Sequence, residues 1–138
     1  METLTHILNG FSVALQPINL WYTFLGCFLG TIIGVLPGIG PSAGIALLIP
    51  VTYGMNPTSA LIMMSGIFYG ARYGGSTTAI LINTPGEASS VMTTLDGYQM
   101  ALKGRAGAAL AISALASFIA GTLGVVGLTL FGDRKSVV

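Results

Sequence analysis

From residue 19 onward the chain alternates apolar segments with short stretches rich in proline, glycine and hydroxyl side chains. The apolar segments cover residues 19–36, 42–53, 58–71 and 106–131, and a short piece, "AILIN", precedes the last of them. A helix needs about 20 apolar residues to cross a bilayer, so the two middle segments are too short to span alone. They are predicted to be re-entrant or broken, whereas residues 106–131 are predicted to form one membrane-spanning helix.

The N-terminal residues 1–18 carry apolar side chains at helical spacing with polar side chains between them. The apolar positions are Leu4, Ile7, Leu8, Phe11 and Leu15. This pattern predicts a short amphipathic helix that is too polar to span a bilayer and lies in the membrane interface. Trp21 and Tyr22 follow where the first apolar segment begins, and such aromatic pairs are typical of the head-group region.

Charge is scarce and unevenly placed. Of 138 residues, 53% are hydrophobic and 7% are charged, where soluble domains have about 25% charged residues. No Asp, Glu, Lys or Arg occurs in residues 3–71 or in residues 106–132. The chain is therefore predicted to be an all-α integral membrane protein with the lipid bilayer as its surroundings. Its few scattered basic residues form no patch, so nucleic acid is not expected as a partner.

Two Pro-Gly pairs interrupt the apolar pattern with similar flanks, in "GTIIGVLPGIGPSAG" and "STTAILINTPGEASSV". Proline removes a backbone donor and glycine permits positive φ, so Pro37-Gly38 and Pro85-Gly86 are predicted to end one half-helix and let another start. Ser42 and Ser89 would then stand at N-caps. Backbone that leaves a helix inside the membrane must line a protein cavity. The alternative is that each pair marks an ordinary turn between helices at the membrane surface.

A half-helix that begins inside a membrane directs free N–H groups and a positive dipole end into the cavity, which favours an anion. Paired, interrupted segments are also the best sequence pointer to a transporter's binding site. We therefore predict that the two loops approach each other and form one anion site. Its members would be Gly38, Gly40, Ser42, Gly86, Ser89 and Ser90, with Arg72 as the single full charge nearby.

Arg72 and Glu87 are the two ionised residues next to these elements, and each has two interpretations. Arginine inside a membrane segment is costly and by default functional, because its planar fork can hold a carboxylate; alternatively, Arg72 snorkels to the head groups. Glu87 directly follows the second Pro-Gly pair. If that break lies deep in the membrane, its carboxylate would carry a proton or help to bind Na⁺; if shallow, it only favours the positive end of the next helix.

The segment "VMTTLDGYQMALKGRAG" is mixed in character and is predicted to lie at or outside the membrane surface. Asp96 precedes Gly97, an order typical of a turn. Lys103 and Arg105 follow, and short loops rich in basic residues tend to stay in the cytoplasm. This would place the loop inside the cell and residue 131 outside, whereas Arg134 and Lys135 beyond the last span argue for the reverse orientation.

Several motifs in order make residues 19–131 resemble the large permease subunit of the tripartite tricarboxylate transporters, the TctA family. They are "GVLPGIGPSAGIALLIPVTYGMNPTSAL", "GIFYGARYGGSTTAILINTPGEASSVMTTLDGYQMALKGRAG" and "ALAISALASFIAGTLG". The resemblance implies uptake of citrate-like or other carboxylates across the bacterial inner membrane, driven by an ion gradient. It also implies a multi-pass permease, a small membrane subunit and a periplasmic substrate-binding protein.

Residues 132–138, "GDRKSVV", do not resemble the family's continuation, and the family's permease is several times longer than this chain. The chain is therefore expected to be the N-terminal portion of such a permease. A coupling ion, Na⁺ or H⁺, would be needed, but no cofactor or resident metal is expected. His6 and Cys27 are single residues of their kind, so neither a metal cluster nor a catalytic pair is predicted, and the chain is not expected to be an enzyme.

Two further classes of function stay open beside a carboxylate permease. An uncoupled anion channel would need a continuous polar lining, for which only Arg72 and scattered Ser and Thr residues are available. A non-transporting membrane scaffold would leave the two Pro-Gly breaks without a role.

Overall fold

The computed structural model describes residues 2–131, with side chains described from residue 5 onward. Within these residues the chain is helical and contains no strand. The helices are α1 Glu2–Ala14, α2 Pro17–Gly34, α3 Gly40–Leu48, α4 Pro57–Ile82, α5 Val91–Leu102 and α6 Ala106–Phe131, with short 3₁₀ helices at Ile49–Thr52 and Ala88–Ser90. The all-α prediction is confirmed. Residues 132–138, predicted to be an off-pattern tail, lie outside the described residues.

A buried polar cluster fixes the turn between α1 and α2. Pro17 is the first residue of α2, where its missing N–H costs nothing. Asn19 is 2% exposed, and its Nδ2 donates to the Val13 carbonyl oxygen at 2.7 Å. The Ser59 hydroxyl of α4 donates to the Asn19 Oδ1 at 2.7 Å, so the start of α2 is tied to the start of α4. An interfacial position of α1 stays a prediction.

Helices α2 and α4 pack through glycines on both of their facing surfaces. On α2 these are Gly26, Gly30 and Gly34, and on α4 they are Gly66, Gly70 and Gly74. A Cβ added to Gly30 would lie 2.8 Å from the Ile67 Cα, and one added to Gly66 would lie 2.8 Å from the Thr23 carbonyl oxygen. These neighbours are backbone atoms that cannot move aside alone. Small residues at spacing i, i+4 thus bring the two backbones into contact, as in close transmembrane helix pairs.

The prediction that residues 58–71 form a short, broken segment is wrong, because α4 runs without interruption from Pro57 to Ile82. Its glycine and hydroxyl residues do not end the helix, for two reasons. The glycines face α2, where a larger side chain would not fit. The Ser76 and Thr77 hydroxyls donate to carbonyl oxygens one turn earlier, those of Arg72 and Tyr73, so they stay within the helical pattern.

Both ends of α4 are marked by a capping asparagine. Asn56 is the N-cap, and its Oδ1 accepts a hydrogen bond from the Thr58 N–H at 3.0 Å. Asn83 ends the helix in the left-handed region with a φ of 57°. The shorter helix α3 continues into the 3₁₀ helix Ile49–Thr52, so this apolar piece remains short, as predicted.

Helices α5 and α6 complete the described part of the chain. The prediction that Asp96 forms a turn is wrong, because Asp96 lies in the middle of α5. Gly97, next to it, lets α5 approach α4: a Cβ there would lie 2.8 Å from the Ile80 Cγ1. Helix α6 is one helix with the predicted bounds, 106–131. Of the described helices, α2 and α6 are both long and apolar enough to cross a membrane.

Candidate functional site

The two Pro-Gly pairs lie in the connections between helices. Pro37-Gly38 stands between α2 and α3, and Pro85-Gly86 stands between α4 and the 3₁₀ helix Ala88–Ser90. Gly38 and Gly40 have φ values of 84° and 65°, a backbone conformation that residues with a side chain rarely adopt. The depth of these connections in a membrane stays a prediction.

These two connections are in direct contact. The Gly38 N–H donates a hydrogen bond to the Gly86 carbonyl oxygen at 3.2 Å. Gly86 is buried against Gly75 of α4, and a Cβ added to it would lie 3.1 Å from the Gly34 carbonyl oxygen. A Cβ added to Gly40 would lie 3.9 Å from the Glu87 Cβ. The two loops are therefore neighbours. The Gly38 N–H already donates to Gly86, so in this structure it is not available to a bound anion.

The predicted N-cap positions of Ser42 and Ser89 are wrong. Ile39 is the N-cap of α3, and no side chain caps this helix. Ser42 lies within the first turn of α3 and is exposed. Ser89 lies inside the 3₁₀ helix, whose N-cap is Glu87. In both cases the next helix starts earlier than the serine: α3 begins at Gly40 and the 3₁₀ helix begins at Ala88.

Arg72 and Glu87 meet across the gap between α4 and the second loop. The Arg72 Nη1 lies 3.8 Å from the Glu87 Oε1. The Arg72 side chain is 49% exposed and the Glu87 side chain is 16% exposed. The guanidinium also lies over the Phe68 ring, with the Cζ 4.9 Å from the ring centroid, a cation–π contact. The residues predicted for substrate charge and for ion coupling are therefore partners of each other.

The remaining serines of the second loop hold Glu87 in place. The Ser89 hydroxyl donates to the Glu87 Oε1 at 2.5 Å. The Glu87 N–H donates to the Ser90 Oγ at 3.2 Å, and the Ser90 hydroxyl donates back to the Glu87 carbonyl oxygen at 2.8 Å. Ser90 is 2% exposed. Ser90 thus fixes the backbone of Glu87, whereas Ser89 contacts its carboxylate.

A cavity of about 350 Å³ opens beside this ion pair, between α4, the second loop and α6. It contains Arg72, Glu87, Ser89 and Ser90 from the predicted set. The predicted glycines and Ser42 are not among its lining residues, so the structure divides the predicted site into a charged cavity and a neighbouring glycine contact. The other lining residues are Phe68, Tyr69, Tyr73, Ser76, Ser117, Ala120 and Gly121.

Tyr69, Tyr73 and Ser76 are cavity residues that the sequence reasoning missed. They lie one turn before Arg72, next to it and one turn after it, on one face of α4. Their helical spacing could have indicated a shared face with Arg72. It does so only if the helix continues beyond residue 71, where the sequence analysis ended the apolar segment. Ser117 of α6 gave no signal, because nothing in its apolar segment distinguishes it from Ser113.

A second cavity, of about 430 Å³, adjoins the first and shares Ser76 and Ser117 with it. It lies between α4, α5 and α6, and Asp96 is its one charged lining residue. The rest of its wall combines methionine, isoleucine, alanine and glycine residues with the hydroxyl groups of serine and threonine. Among the residues that the structure describes, no group of three His, Cys, Asp or Glu side chains is placed to hold a metal ion.

Comparison of the sequence with known proteins shows the family to which the chain belongs. No solved structure matches the chain. A protein of Agrobacterium vitis, described as an uncharacterized 52.8 kDa protein in the TAR-I ttuC' 3' region, is 57% identical over 121 residues. That alignment covers 88% of this chain and 24% of the relative, so the chain spans about a quarter of the relative's length. Residues 20–133 match the Tripartite tricarboxylate transporter TctA family, and the chain belongs to this family.

Proposed function

We propose that this chain is the N-terminal portion of a secondary-active permease that transports tricarboxylates or related carboxylates. Membership of the TctA family supports a role as the permease component of a tripartite tricarboxylate transporter. The observation that carries the proposal is the cavity that holds Arg72 beside two adjoining Pro-Gly loops. Paired Pro- and Gly-containing interruptions of apolar segments are the sequence feature that points to the binding site of a secondary transporter.

The chemistry of this cavity suits a carboxylate that must be bound and then released. Arg72 is the one cation among the described residues that line it, and a guanidinium can hold a carboxylate through two parallel hydrogen bonds. The hydroxyl groups of Tyr69, Tyr73 and Ser117 add neutral donors around it. One full charge with neutral donors binds an anion less tightly than several fixed charges would, which permits release on the other side.

The adjoining glycines have a supporting role in this proposal. Gly38, Gly40 and Gly86 bring the first loop against the second, on which Glu87, Ser89 and Ser90 lie. Movement of one loop would thus displace the other, because the Gly38–Gly86 hydrogen bond joins them. Ser42 is exposed on α3 and would reach the substrate only through a rearrangement of this loop.

Ion coupling is assigned to Glu87 in this proposal. It is the carboxylate of the cavity and lies next to the arginine that would bind substrate. A symported H⁺ would neutralise it, and a symported Na⁺ would be bound by its oxygens together with hydroxyl oxygens such as that of Ser89. Either ion would lower the negative charge that opposes the entering substrate.

The proposed partners follow from the family. A tripartite transporter combines the permease with a small membrane subunit and a periplasmic substrate-binding protein, and the bacterial inner membrane is the proposed location. The basic residues Lys103 and Arg105 favour a cytoplasmic position for the connection between α5 and α6. The binding protein would then deliver substrate from the opposite side.

The test is uptake of labelled carboxylates by the full-length permease, produced in cells with its small subunit and binding protein. Citrate, isocitrate, malate and succinate form the panel. Arg72→Ala is expected to abolish uptake, whereas Arg105→Ala, which removes the same charge outside the cavity, is expected to leave it nearly unchanged. Uptake that survives in Arg72→Ala at the wild-type rate would refute the assignment of the cavity.

A second measurement separates transport from the other two classes of function. In vesicles loaded with unlabelled substrate, a carrier accumulates labelled substrate transiently by counterflow, and an uncoupled channel does not. A scaffold would show no substrate flux that depends on the permease. Absence of uptake for every member of the panel would contradict the proposed function itself.

A further inference from the structure

We infer that the Glu87 carboxylate pairs with the Arg72 guanidinium when no substrate is bound, and that a carboxylate of the substrate displaces Glu87 from this pair. The inference rests on the proposed function and adds to it a device that sets substrate affinity and release. Glu87 would act as an internal competitor, a second carboxylate that holds the same guanidinium between transport cycles. Three features of the cavity support this exchange.

The first feature is the incomplete contact between the two charged groups. The Arg72 Nη1 and the Glu87 Oε1 are 3.8 Å apart, which is beyond the distance of a direct hydrogen bond. A bidentate arginine–carboxylate pair has two parallel contacts at 2.7–2.9 Å. Among the residues that the structure describes, none accepts a hydrogen bond from the guanidinium, so it has donors to offer and a carboxylate of better geometry can outcompete Glu87.

The second feature is the orientation of Arg72. Its guanidinium lies over the Phe68 ring, with the Cζ 4.9 Å from the centroid, although the side chain is 49% exposed. The aromatic contact holds the charge at the cavity without covering it. The binding group is thus already positioned before substrate arrives, so little ordering is required when it binds.

The third feature is a second partner of the Glu87 carboxylate, which remains in contact with it when substrate binds Arg72. The Ser89 hydroxyl donates to the same Oε1 at 2.5 Å. Ser90 fixes the backbone of Glu87 on both sides. Its Oγ accepts a hydrogen bond from the Glu87 N–H, and its hydroxyl donates one to the Glu87 carbonyl oxygen. Glu87 can therefore leave Arg72 with a small side-chain movement and without a change in the loop.

This competition has a definite kinetic signature. While Glu87 is ionised, its negative charge repels the anionic substrate and its carboxylate competes for the Arg72 guanidinium. Both effects raise the substrate KM. When Glu87 returns to Arg72, it helps to expel the substrate, so it raises the maximal rate. Removing the charge alone should lower both the KM and the maximal rate, a combination that loss of a simple binding contact does not produce.

The experiment compares Glu87→Gln with wild type in the full-length transporter, using whichever carboxylate of the panel the wild type takes up. Glutamine keeps the size of the side chain and an oxygen that can accept from Ser89, so the loop should be preserved. The KM should fall about two- to fivefold, the range expected for a partly exposed ion pair. The maximal rate should fall as well, but loss of the proposed ion coupling at Glu87 would have the same effect, so the KM and the direct binding of the carboxylate decide the inference. Asp96→Asn, the same chemical change in the neighbouring cavity, should alter the KM by less than about twofold.

Each other result has a distinct meaning. A KM that rises or stays the same in Glu87→Gln, with wild-type uptake intact, overturns the exchange but leaves the proposed function standing. An equal fall in KM for Asp96→Asn would assign the effect to overall charge and would also overturn it. If wild type takes up no carboxylate, the proposed function fails first. Direct binding of the same carboxylate to both purified permeases checks that the KM reports affinity.

Discussion

The contact between α2 and α4 makes a quantitative prediction for Gly30→Ala. A Cβ at Gly30 would lie 2.8 Å from the Ile67 Cα, where ordinary van der Waals contacts are 3.4–4 Å. Both helices are continuous at this point, so no local shift relieves the overlap. The helices would have to move apart by roughly 1 Å, which loosens the packing of the neighbouring glycines as well.

The expected cost is the balance of two effects. Overpacking a tight contact typically costs about 1–3 kcal/mol, while replacing glycine by alanine inside a helix gains at most about 1 kcal/mol. Because the overlap is with the backbone of Ile67, the cost of overpacking is taken as about 2–3 kcal/mol, so Gly30→Ala should destabilise the helix pair by about 1–2 kcal/mol. Gly124→Ala is the matched control, because a Cβ there meets no atom within 4 Å in the described structure. This control should be neutral or slightly stabilising.

The single cysteine of the chain provides the assay. Cys27 lies on α2 in this interface, where its carbonyl faces Gly70 of α4. Alkylation of Cys27 by an uncharged maleimide is followed during a titration with SDS, which separates the helices. Gly30→Ala should shift the midpoint to lower SDS, and Gly124→Ala should not. Equal midpoints for the two variants would refute the reasoning that the glycines are required by backbone contact.

Two further predictions concern buried contacts. Asn19→Ala removes the partner of the Ser59 hydroxyl, so it should lower stability by about 1–3 kcal/mol in the same SDS titration; an unchanged midpoint would contradict a structural role. Gly86→Ala places a Cβ against the backbone of Gly75 and should separate the two loops, with loss of carboxylate uptake in the full-length transporter. Gly107→Ala has open space and should retain uptake, so equal uptake by both variants would count against the loop contact.

The accuracy of the sequence-based prediction differed between α6 and α4 for a physical reason. Helix α6 contains no charged residue and lies between Arg105 and Asp133, so its bounds follow from the distribution of charge. Helix α4 contains glycine and hydroxyl residues, which usually indicate a break. In α4 the same glycines recur every fourth residue and match a second series on α2, a pattern that indicates packing rather than interruption.

The candidate site was predictable in part. The repeated Pro-Gly pairs indicated that two loops belong together, and the isolated charge of Arg72 indicated a special position. The pairing of Arg72 with Glu87 depends on how the second loop folds back along α4, and the hydrogen bond from Gly38 to Gly86 depends on how α4 lies against α2. Such contacts between distant segments are set by tertiary packing and leave no local signal in the sequence.

The glycine contact also links helix packing to the site. Gly34 ends α2 and directly precedes the first loop, while its carbonyl oxygen lies beside Gly86 of the second loop. Gly74 packs on the same end of α2, and Arg72 is two residues earlier on α4. A separation of α2 from α4 would therefore displace both loops relative to Arg72.

Gly30→Ala should for this reason reduce carboxylate uptake by the full-length transporter, although Gly30 does not line the cavity. The loss should accompany the shift in the SDS midpoint, because both follow from the same movement of α2. The amount of permease in the membrane is measured alongside uptake, so that poor production is not mistaken for poor transport. Normal uptake per molecule, together with a lowered SDS midpoint, would show that the loops keep their positions without the tight helix contact, and would contradict this link.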